Sequence, residues 1–302
     1  MELSKLTTEQ RNSNSTNLDE MTTKMILRTI NNEDKKIAYA VEKVLDLIEI
    51  AVNKIYESLR KGGRLFYVGA GTSGRLGVMD ASECPPTFMV SKEMIQTVMA
   101  GGDKAFLYAV EGAEDEESQG FQDIKKCSLT SNDVVLGITA SGRTPYPIGA
   151  LKYASDVGAY TISLSSNYHS QISKYADCQI EVVVGPEVLT GSTRMKAATS
   201  HKMVLNMIST AVMVKLGKVY ENLMVDVHAS NYKLRERAKR TVMEVTNSTY
   251  DEAENVLVAA NYKVKPAIIM IELGVSFEEA DEALEASNGY VREAIRLLAN
   301  QL

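Results

Sequence analysis

The sequence has no tryptophan, and it has only three cysteines and three histidines among 302 residues. Cys84, Cys127 and Cys178 are odd in number and scattered, so the sequence predicts no disulfide framework and a reducing, cytoplasmic location. The cysteines and histidines lie far apart along the chain and show no metal-ligand spacing. We therefore expect a protein that needs neither a disulfide nor a metal.

Long apolar runs are also missing. The most apolar long stretch, residues 203–216, contains Asn206, Ser209 and Thr210 and is too short to cross a bilayer, so it predicts a buried helix. Residues 1–17 are polar and lack the apolar core of a signal peptide. The net charge of −6 argues against a nucleic acid partner, because binding nucleic acid usually needs a basic face. We expect no membrane and no nucleic acid as partners.

Strand and helix signals alternate through the middle of the chain. Short apolar runs predict strands, with helix-like stretches between them, at 65–68, 95–99, 134–139, 160–164 and 180–184. Such alternation is typical of a parallel sheet covered by helices on both faces. The predicted fold class is α/β, a three-layer α-β-α sandwich with a five-stranded parallel sheet.

Helical periodicity flanks this core on both sides. It covers residues 18–59, and a long helix is predicted over about 192–216. From residue 249 a pattern repeats at an offset of 27 (279 − 252), and each copy opens with a capping box, Thr249 with Glu252 and Ser276 with Glu279. We interpret this region as two tandem helical hairpins acting as a cap or dimer brace. The predicted division is an N-terminal helical segment 1–60, a central α/β domain 61–246 and C-terminal hairpins 247–302.

A glycine and hydroxyl loop, residues 69–74, follows the first predicted strand. Gly71, Thr72 and Ser73 stand where a helix should begin, and the free N–H groups of a helix N-terminus bind anions. The loop matches the dinucleotide pattern G-x-G-x-x-G, but the acidic residue expected after the second strand is missing. A P-loop is excluded, because no Gly-Lys-Ser/Thr follows. The loop therefore predicts a site for a small molecule that carries a phosphate.

Two further loops offer donors for the same ligand. After the strand at 134–139 come Ser141, Gly142, Arg143 and Thr144, at the sheet edge where open parallel sheets bind ligands. The alternative is that Ser141 and Thr144 only cap a helix. The third loop, 185–196, adds hydroxyls and cations before another helix, and we include Ser192 and Lys196 in the predicted phosphate site. Its cations could instead be solvated or paired with Glu187.

Several acidic residues follow these loops. Glu83 comes just after the short helix predicted behind the first loop, and Glu114 follows the loop of the second strand. Most glutamates are solvated surface groups, so the residues alone give a modest case for catalysis. Spacing does not choose among these two and the other acids nearby, Asp80, Glu111, Asp115 and Glu116.

The motifs together resemble a known family. They are Gly-Ala-Gly-Thr-Ser-Gly-Arg-Leu-Gly (69–77), Asp-Ala-Ser-Glu-Cys-Pro-Pro-Thr (80–87), Val-Glu-Gly-Ala-Glu-Asp (110–115), Ala-Ser-Gly-Arg-Thr-Pro (140–145) and Thr-Gly-Ser-Thr-Arg-Met-Lys (190–196). They closely resemble the N-acetylmuramic acid 6-phosphate etherases, which belong to the sugar isomerase (SIS) domain superfamily and are similar to the glucokinase regulatory protein. The resemblance runs from residue 6 to the C-terminus, where the family carries helical pairs resembling ubiquitin-associated domains.

The resemblance implies a carbon–oxygen lyase of cell-wall sugar recycling. Such an enzyme releases D-lactate from N-acetylmuramic acid 6-phosphate, leaves N-acetylglucosamine 6-phosphate and needs no cofactor. By motif match Glu83 would be the acid/base and Glu114 the second catalytic residue. A SIS-type homodimer is also implied. We expect Glu83 to be buried against the sheet edge.

Two other functions stay open at this point. A sugar-phosphate-binding regulator would use the same loops but would need neither carboxyl group. A sugar-phosphate isomerase would share proton removal at C2, but it would need no acid for a leaving lactate.

Overall fold

A computed structural model describes residues 6–226 and 231–301 of the chain. Its contacts divide the chain into two compact units, the first formed by residues up to 81 with 92–209, the second by 82–91 with 210–302. The predicted boundaries after residues 60 and 246 stay a prediction, and the contacts group 210–246 with the C-terminal helices.

A five-stranded parallel sheet forms the centre of the first unit, as predicted. Its strands are β1 (Leu65–Gly69), β2 (Ile95–Met99), β3 (Val134–Ile138), β4 (Tyr160–Ser165) and β5 (Cys178–Glu181), in the order β2-β1-β3-β4-β5. Every residue of β1 and β3 is buried, as near-continuous apolar strands covered on both faces should be. Gly69 is in register with Met99 on one side and with Ile138 on the other. The carboxyl ends of three strands therefore meet at one edge.

Helices flank this sheet, which confirms the predicted fold class. They are α1 (Thr23–Asp34), α2 (Lys36–Glu42), α3 (Leu45–Arg60), α4 (Gly71–Phe88), α5 (Lys104–Leu107), α6 (Glu117–Lys126), α7 (Pro145–Val157) and α8 (Lys196–Lys215). One face of the sheet, with Phe66, Val68 and Val135, shares a buried core with Ile124 of α6 and Leu151 of α7. Short 3₁₀ turns lie at Thr7–Glu9, Ser13–Ser15, Leu18–Glu20, Ala113–Asp115 and Ile172–Tyr175.

Two helices differ from the prediction. The helix after the first loop is not short, because α4 continues through Pro85 and Pro86 to Phe88, and the Met89 N–H donates to the Pro85 carbonyl at 3.0 Å. Glu83 therefore lies within this helix rather than after it. The long helix predicted from 192 begins at Lys196, because residues 189–195 form turns.

Helices α6 and α7 touch through their backbones. A Cβ built on Gly120 of α6 would overlap the carbonyl oxygen of Tyr146, and one on Gly149 of α7 would overlap the carbonyl oxygen of Glu117. Only residues without a side chain allow this approach. These two glycines therefore set the spacing of the helix pair that covers one face of the sheet.

The second unit carries the predicted tandem hairpins. Its elements are β6 (Val219–Tyr220), β7 (Leu223–Met224), α9 (Tyr232–Thr246), α10 (Tyr250–Ala259), α11 (Val264–Leu273), α12 (Phe277–Ala286) and α13 (Val291–Ala299). The starts of α10 and α12 differ by 27 residues (277 − 250), as do those of α11 and α13 (291 − 264). Equivalent residues of both copies, such as Leu257 and Leu284, lie in one shared core. The capping box is complete at Ser276, whereas Thr249 shows only the bond from the Glu252 N–H.

Across residues 6–226 and 231–301, none of the helices combines the length and the apolar character needed to span a membrane.

Substitution of Gly120 tests the α6–α7 contact. Gly120→Ala should destabilise the protein by about 1–3 kcal/mol, because its methyl group would meet the Tyr146 carbonyl and force the helices apart. The control is Ser118→Ala on the exposed side of the same helix, which should change the stability by less than about 0.5 kcal/mol. Chemical unfolding of the two variants measures the difference. Equal stabilities would show that the helices can shift without cost.

Candidate functional site

The strand order of the sheet reverses beside β1. From β1 the chain moves to β2 on one side and then returns to β3 on the other side. In open parallel sheets, ligands bind outside the carboxyl ends of the strands at the point where the strand order reverses. The loops that follow β1 and β3 flank this point. They are the first and second loops singled out in the sequence.

The first loop leads directly into α4. The helix begins at Gly71, so Gly71, Thr72 and Ser73 form its first turn, where N–H groups have no acceptor within the helix. Gly71 has a φ of +52°, and a Cβ on Gly69 would lie 2.9 Å from the Gly74 nitrogen. The turn is therefore too tight for a side chain at Gly69, and it places the first turn of α4 directly after the carboxyl end of β1.

The second loop is held by its own hydroxyl groups. The Thr139 Oγ1 lies 2.7 Å from the Thr144 Oγ1 and 3.3 Å from the Ser141 Oγ. Thr144 precedes α7, but its side chain makes no capping bond to that helix. The Arg143 N–H donates to the Ser141 Oγ at 3.2 Å, and Gly142 has a φ of +73°. The interpretation of Thr144 as only a helix cap is therefore not supported.

One cation of the third loop, Lys196, is paired within the protein. The buried Glu187 carboxylate accepts the N–H groups of Lys196 and Ala197, both at 2.9 Å, and so caps α8. The Lys196 ammonium donates to the Glu33 carboxylate of α1 at 2.6 Å, and both side chains are buried. Ser192 is half-buried at the turn before α8. Phosphate binding by Lys196 stays a prediction, and in this structure its ammonium has Glu33 as a partner.

Glu33 is the centre of a buried polar cluster. Besides Lys196, its carboxylate accepts hydrogen bonds from the Lys36 ammonium at 2.5 Å and from the Asn14 amide at 2.9 Å. Burial alone would raise its pKa, but these donors, with Lys196 the strongest, lower the pKa of Glu33 to about 2. The carboxylate therefore stays charged and balances the buried lysine.

The N-terminal segment ties the second and third loops together. The Asn167 amide, just after β4, donates to the Ala140 carbonyl at 3.1 Å and to the Thr8 hydroxyl at 3.1 Å. The Asn12 amide donates to the Pro186 carbonyl at 3.0 Å. The sequence analysis missed Thr8, Asn12 and Asn167. The signal that could have found Asn167 is the run Ser165-Ser166-Asn167, another polar cluster directly after a strand of the same sheet.

Glu114 lies in a small pocket beside the first loop. The pocket has a volume of about 170 Å³, and its lining includes Gly71, Arg75, Glu111 and Glu114. Glu114 is in the 3₁₀ turn Ala113–Asp115, and its side chain is exposed. The structure thus brings one predicted acid next to the start of α4, where the predicted phosphate-binding residues are.

Glu83 lies on α4 with an exposed side chain, so the expectation that it is buried against the sheet edge is wrong. The buried acid of this helix is Asp80, one turn earlier. Its carboxylate accepts hydrogen bonds from Asn206 at 2.6 Å, Tyr67 at 3.0 Å and Ser209 at 3.1 Å. Burial raises the pKa of Asp80. Asp80 therefore holds α4 against β1 and α8, which is a structural role.

Within residues 6–226 and 231–301, no three or more histidine, cysteine, aspartate or glutamate side chains are grouped so that they could hold a metal ion.

Comparison with known families defines the class of the fold. The model of the glucokinase regulatory protein N-terminal SIS domain matches residues 47–155, and the SIS domain model matches residues 113–211. Phosphoheptose isomerase from Neisseria gonorrhoeae has a similar structure, with a TM-score of 0.51 and 18% identity over 63% of this chain and 98% of that chain. At this identity the likeness shows the fold alone. The first unit is a SIS domain.

The nearly full-length relatives define the family. An N-acetylmuramic acid 6-phosphate etherase from Bacillus subtilis is 57% identical over 98% of this chain and 97% of its own length. One from Geobacillus sp. is 57% identical over 97% of this chain and 100% of its own length. This chain belongs to the N-acetylmuramic acid 6-phosphate etherase family, which confirms the resemblance found from the motifs.

The Glu33–Lys196 pair makes the stability of the first unit depend on pH. Glu33→Gln should destabilise the protein by about 3–5 kcal/mol at pH 7, because it leaves a buried ammonium without a counter-charge. Since the pKa of Glu33 is lowered from 4.5 to about 2, the wild-type advantage should be complete above pH 5 and shrink as the pH falls from 4.5 towards 2.

Urea unfolding of the wild type and the variant at several pH values measures this difference. Glu42→Gln, an exposed change on the neighbouring helix α2, is the matched control and should have little effect at any pH. If the loss of stability caused by Glu33→Gln stayed constant from pH 7 to pH 2, the pH dependence could not come from the charge of Glu33 in this pair.

Proposed function

We propose that this chain cleaves the D-lactyl ether of N-acetylmuramic acid 6-phosphate by elimination followed by water addition, giving N-acetylglucosamine 6-phosphate and D-lactate. Membership of the etherase family supports the substrate and the reaction. The observation that carries the proposal to this chain's residues is the reversal of strand order between β1 and β3, with donor-rich loops after both strands and Glu114 in a pocket beside the first loop.

The phosphate group of the substrate is proposed to sit between the first and second loops. Its donors would come from Gly71, Thr72 and Ser73 of the first loop and from Ser141, Gly142, Arg143 and Thr144 of the second, with Ser192 and Lys196 from the third loop. A hydrogen bond to a charged group contributes about 1.5–3 kcal/mol, so a few such donors hold a dianion firmly. The helix dipole of α4 adds favourable charge at its N-terminus.

The chemistry needs one base and one acid. In the ring-opened sugar the C1 aldehyde acidifies the proton on C2. A base removes that proton, the C3–O bond breaks, and an acid protonates the departing lactate oxygen. Water then adds its oxygen to C3 and a proton returns to C2, so the product carries a new C3 hydroxyl group.

We assign removal of the C2 proton to Glu114 and protonation of the leaving lactate to Glu83. Glu83 would protonate the lactate oxygen and, having lost its proton, would help the incoming water. Glu114 would remove the proton from C2. Within its own chain the Glu83 side chain is exposed, so its surroundings during the reaction have to come from bound substrate or from a second subunit.

Three further assignments are part of this proposal. The protein works as a homodimer, which the resemblance to SIS-type proteins implies. It acts in the cytoplasm and uses no cofactor. Two alternatives, a regulator without turnover and a sugar-phosphate isomerase, are tested by the same experiment as the reaction.

Oxygen labelling tests the reaction. Purified protein is incubated with N-acetylmuramic acid 6-phosphate in H₂¹⁸O, and the products are analysed by mass spectrometry. Elimination and addition should place ¹⁸O on C3 of N-acetylglucosamine 6-phosphate and leave the hydroxyl oxygen of D-lactate unlabelled. Label in that lactate hydroxyl would indicate cleavage on its other side. A ketose product would indicate an isomerase, and no product a binding protein.

The division of roles between the two glutamates predicts different defects. Glu83→Gln should lower kcat by about 10²–10⁴-fold, the usual contribution of one proton-transfer group, while in D₂O it still exchanges the C2 hydrogen of the substrate. Glu114→Gln should lose both the exchange and the release of lactate. Magnetic resonance of the sugar follows exchange, and a lactate assay follows release.

Glu49→Gln on the exposed side of α3 is the control and should retain wild-type rates. Near-normal turnover of Glu83→Gln would contradict its role as the acid. Exchange that persists in Glu114→Gln but disappears in Glu83→Gln would reverse the two assignments.

A further inference from the structure

The turn that carries Glu114 belongs to a long connection between β2 and α6, residues 100–116. Little apolar packing holds the middle of this connection, because Phe106, Leu107 and Tyr108 are 43%, 72% and 71% exposed. A segment with few buried apolar contacts is held in place mainly by its polar contacts. The position of Glu114 therefore depends on what fixes this connection.

The Arg75 side chain makes three polar contacts with this segment, while Ala113, beside Glu114, packs against the core of the first unit. The Arg75 guanidinium donates through Nε to the Phe106 carbonyl at 2.9 Å and through Nη2 to the carbonyls of Ala105 at 2.8 Å and Tyr108 at 3.4 Å. Its planar, forked group presents donors at fixed angles, so it holds several acceptors in one arrangement.

Arg75 also connects this segment to the proposed phosphate site. It lies on α4 four residues after Gly71, so both residues are on the same face of the helix, one turn apart. Both line the pocket that contains Glu111 and Glu114. Val110 lies close to Gly101, since a Cβ built on Gly101 would come within 2.9 Å of the Val110 Cβ. The start of α4 and the acidic turn are thus joined through one arginine.

We infer that Arg75 is a positioning residue that fixes the Glu114 turn relative to the phosphate-binding start of α4. This inference rests on the proposed function, because it gives Arg75 its effect through Glu114. The Arg75 guanidinium lies among backbone carbonyl oxygens, and Glu111 and Glu114 line the same pocket. A displacement of a reacting group by about 1 Å can cost about 10²-fold in rate.

A double-mutant cycle tests the inference. Arg75→Ala should lower kcat by about 10²-fold and leave the inhibition constant of N-acetylglucosamine 6-phosphate within about threefold, since the phosphate donors stay in place. In a Glu114→Gln background the same change should have almost no further effect, because the group that Arg75 positions is already inactive. Millimolar guanidinium chloride should restore part of the Arg75→Ala activity, and equal sodium chloride should not.

Other outcomes overturn the inference. The losses in kcat caused by Arg75→Ala and Glu114→Gln could multiply in the double variant, or Arg75→Ala could raise the inhibition constant of N-acetylglucosamine 6-phosphate tenfold or more. Either result would mean that Arg75 acts on the substrate directly. Arg75→Lys keeps the positive charge but loses the forked guanidinium group, so it should also lower kcat at least tenfold. A wild-type kcat in this variant would contradict a role for the forked geometry. The Arg60→Ala change, on α3 of the same unit, is the matched control and should not alter kcat. A wild type that releases no D-lactate would refute the proposed function itself, which separates the two failures.

Discussion

The parallel pairing of β1 with both β2 and β3 is the constraint on which the site depends. Because Gly69 is in register with Met99 and Ile138, the loops that follow three strands leave the sheet side by side. Adjacent strands are about 4.8 Å apart, so groups from neighbouring loops can reach one small ligand. If the register of β1 moved by one residue, its alternating side chains would exchange faces and the first loop would lose its place.

Buried charged side chains hold the helices of this unit together. Asp80 joins α4 to β1 and α8 through neutral hydrogen-bond donors, whereas Glu33 and Lys196 join α1 to the start of α8 through opposite charges. Since the Lys196 ammonium is already paired, binding of a phosphate in the proposed site rests chiefly on hydroxyl and amide donors. That agrees with a net charge of −6, because the overall charge does not attract an anion and local donors would have to bind it.

The sequence predicted the sheet and the C-terminal hairpins well, because both follow from local pattern. Buried strands appear as short apolar runs, and the offset of 27 residues between copies is visible without a structure. It also predicted that Thr72 and Ser73 begin a helix. These features need only the order of residues and the usual preferences of strands, helices and caps.

Long-range polar contacts could not be predicted in this way. The pairing of Glu33 with Lys196 joins residues far apart in sequence, and so does the bond from Asn167 to Thr8. Glu83 was predicted to follow a short helix and to be buried, yet α4 continues to Phe88 and leaves Glu83 exposed. The role of Arg75 was hidden for the same reason, since its acceptors are backbone carbonyls, which carry no signal in the sequence.

The most direct test of the account is a crystal structure of the protein with bound N-acetylglucosamine 6-phosphate. The phosphoryl oxygens should lie about 2.7–3.2 Å from donors of Thr72, Ser73 and Ser141, with the Glu114 carboxylate facing the bond between C2 and C3. A phosphoryl group bound away from the loops that follow β1 and β3, or a Glu114 turned away from that bond, would contradict the central claim.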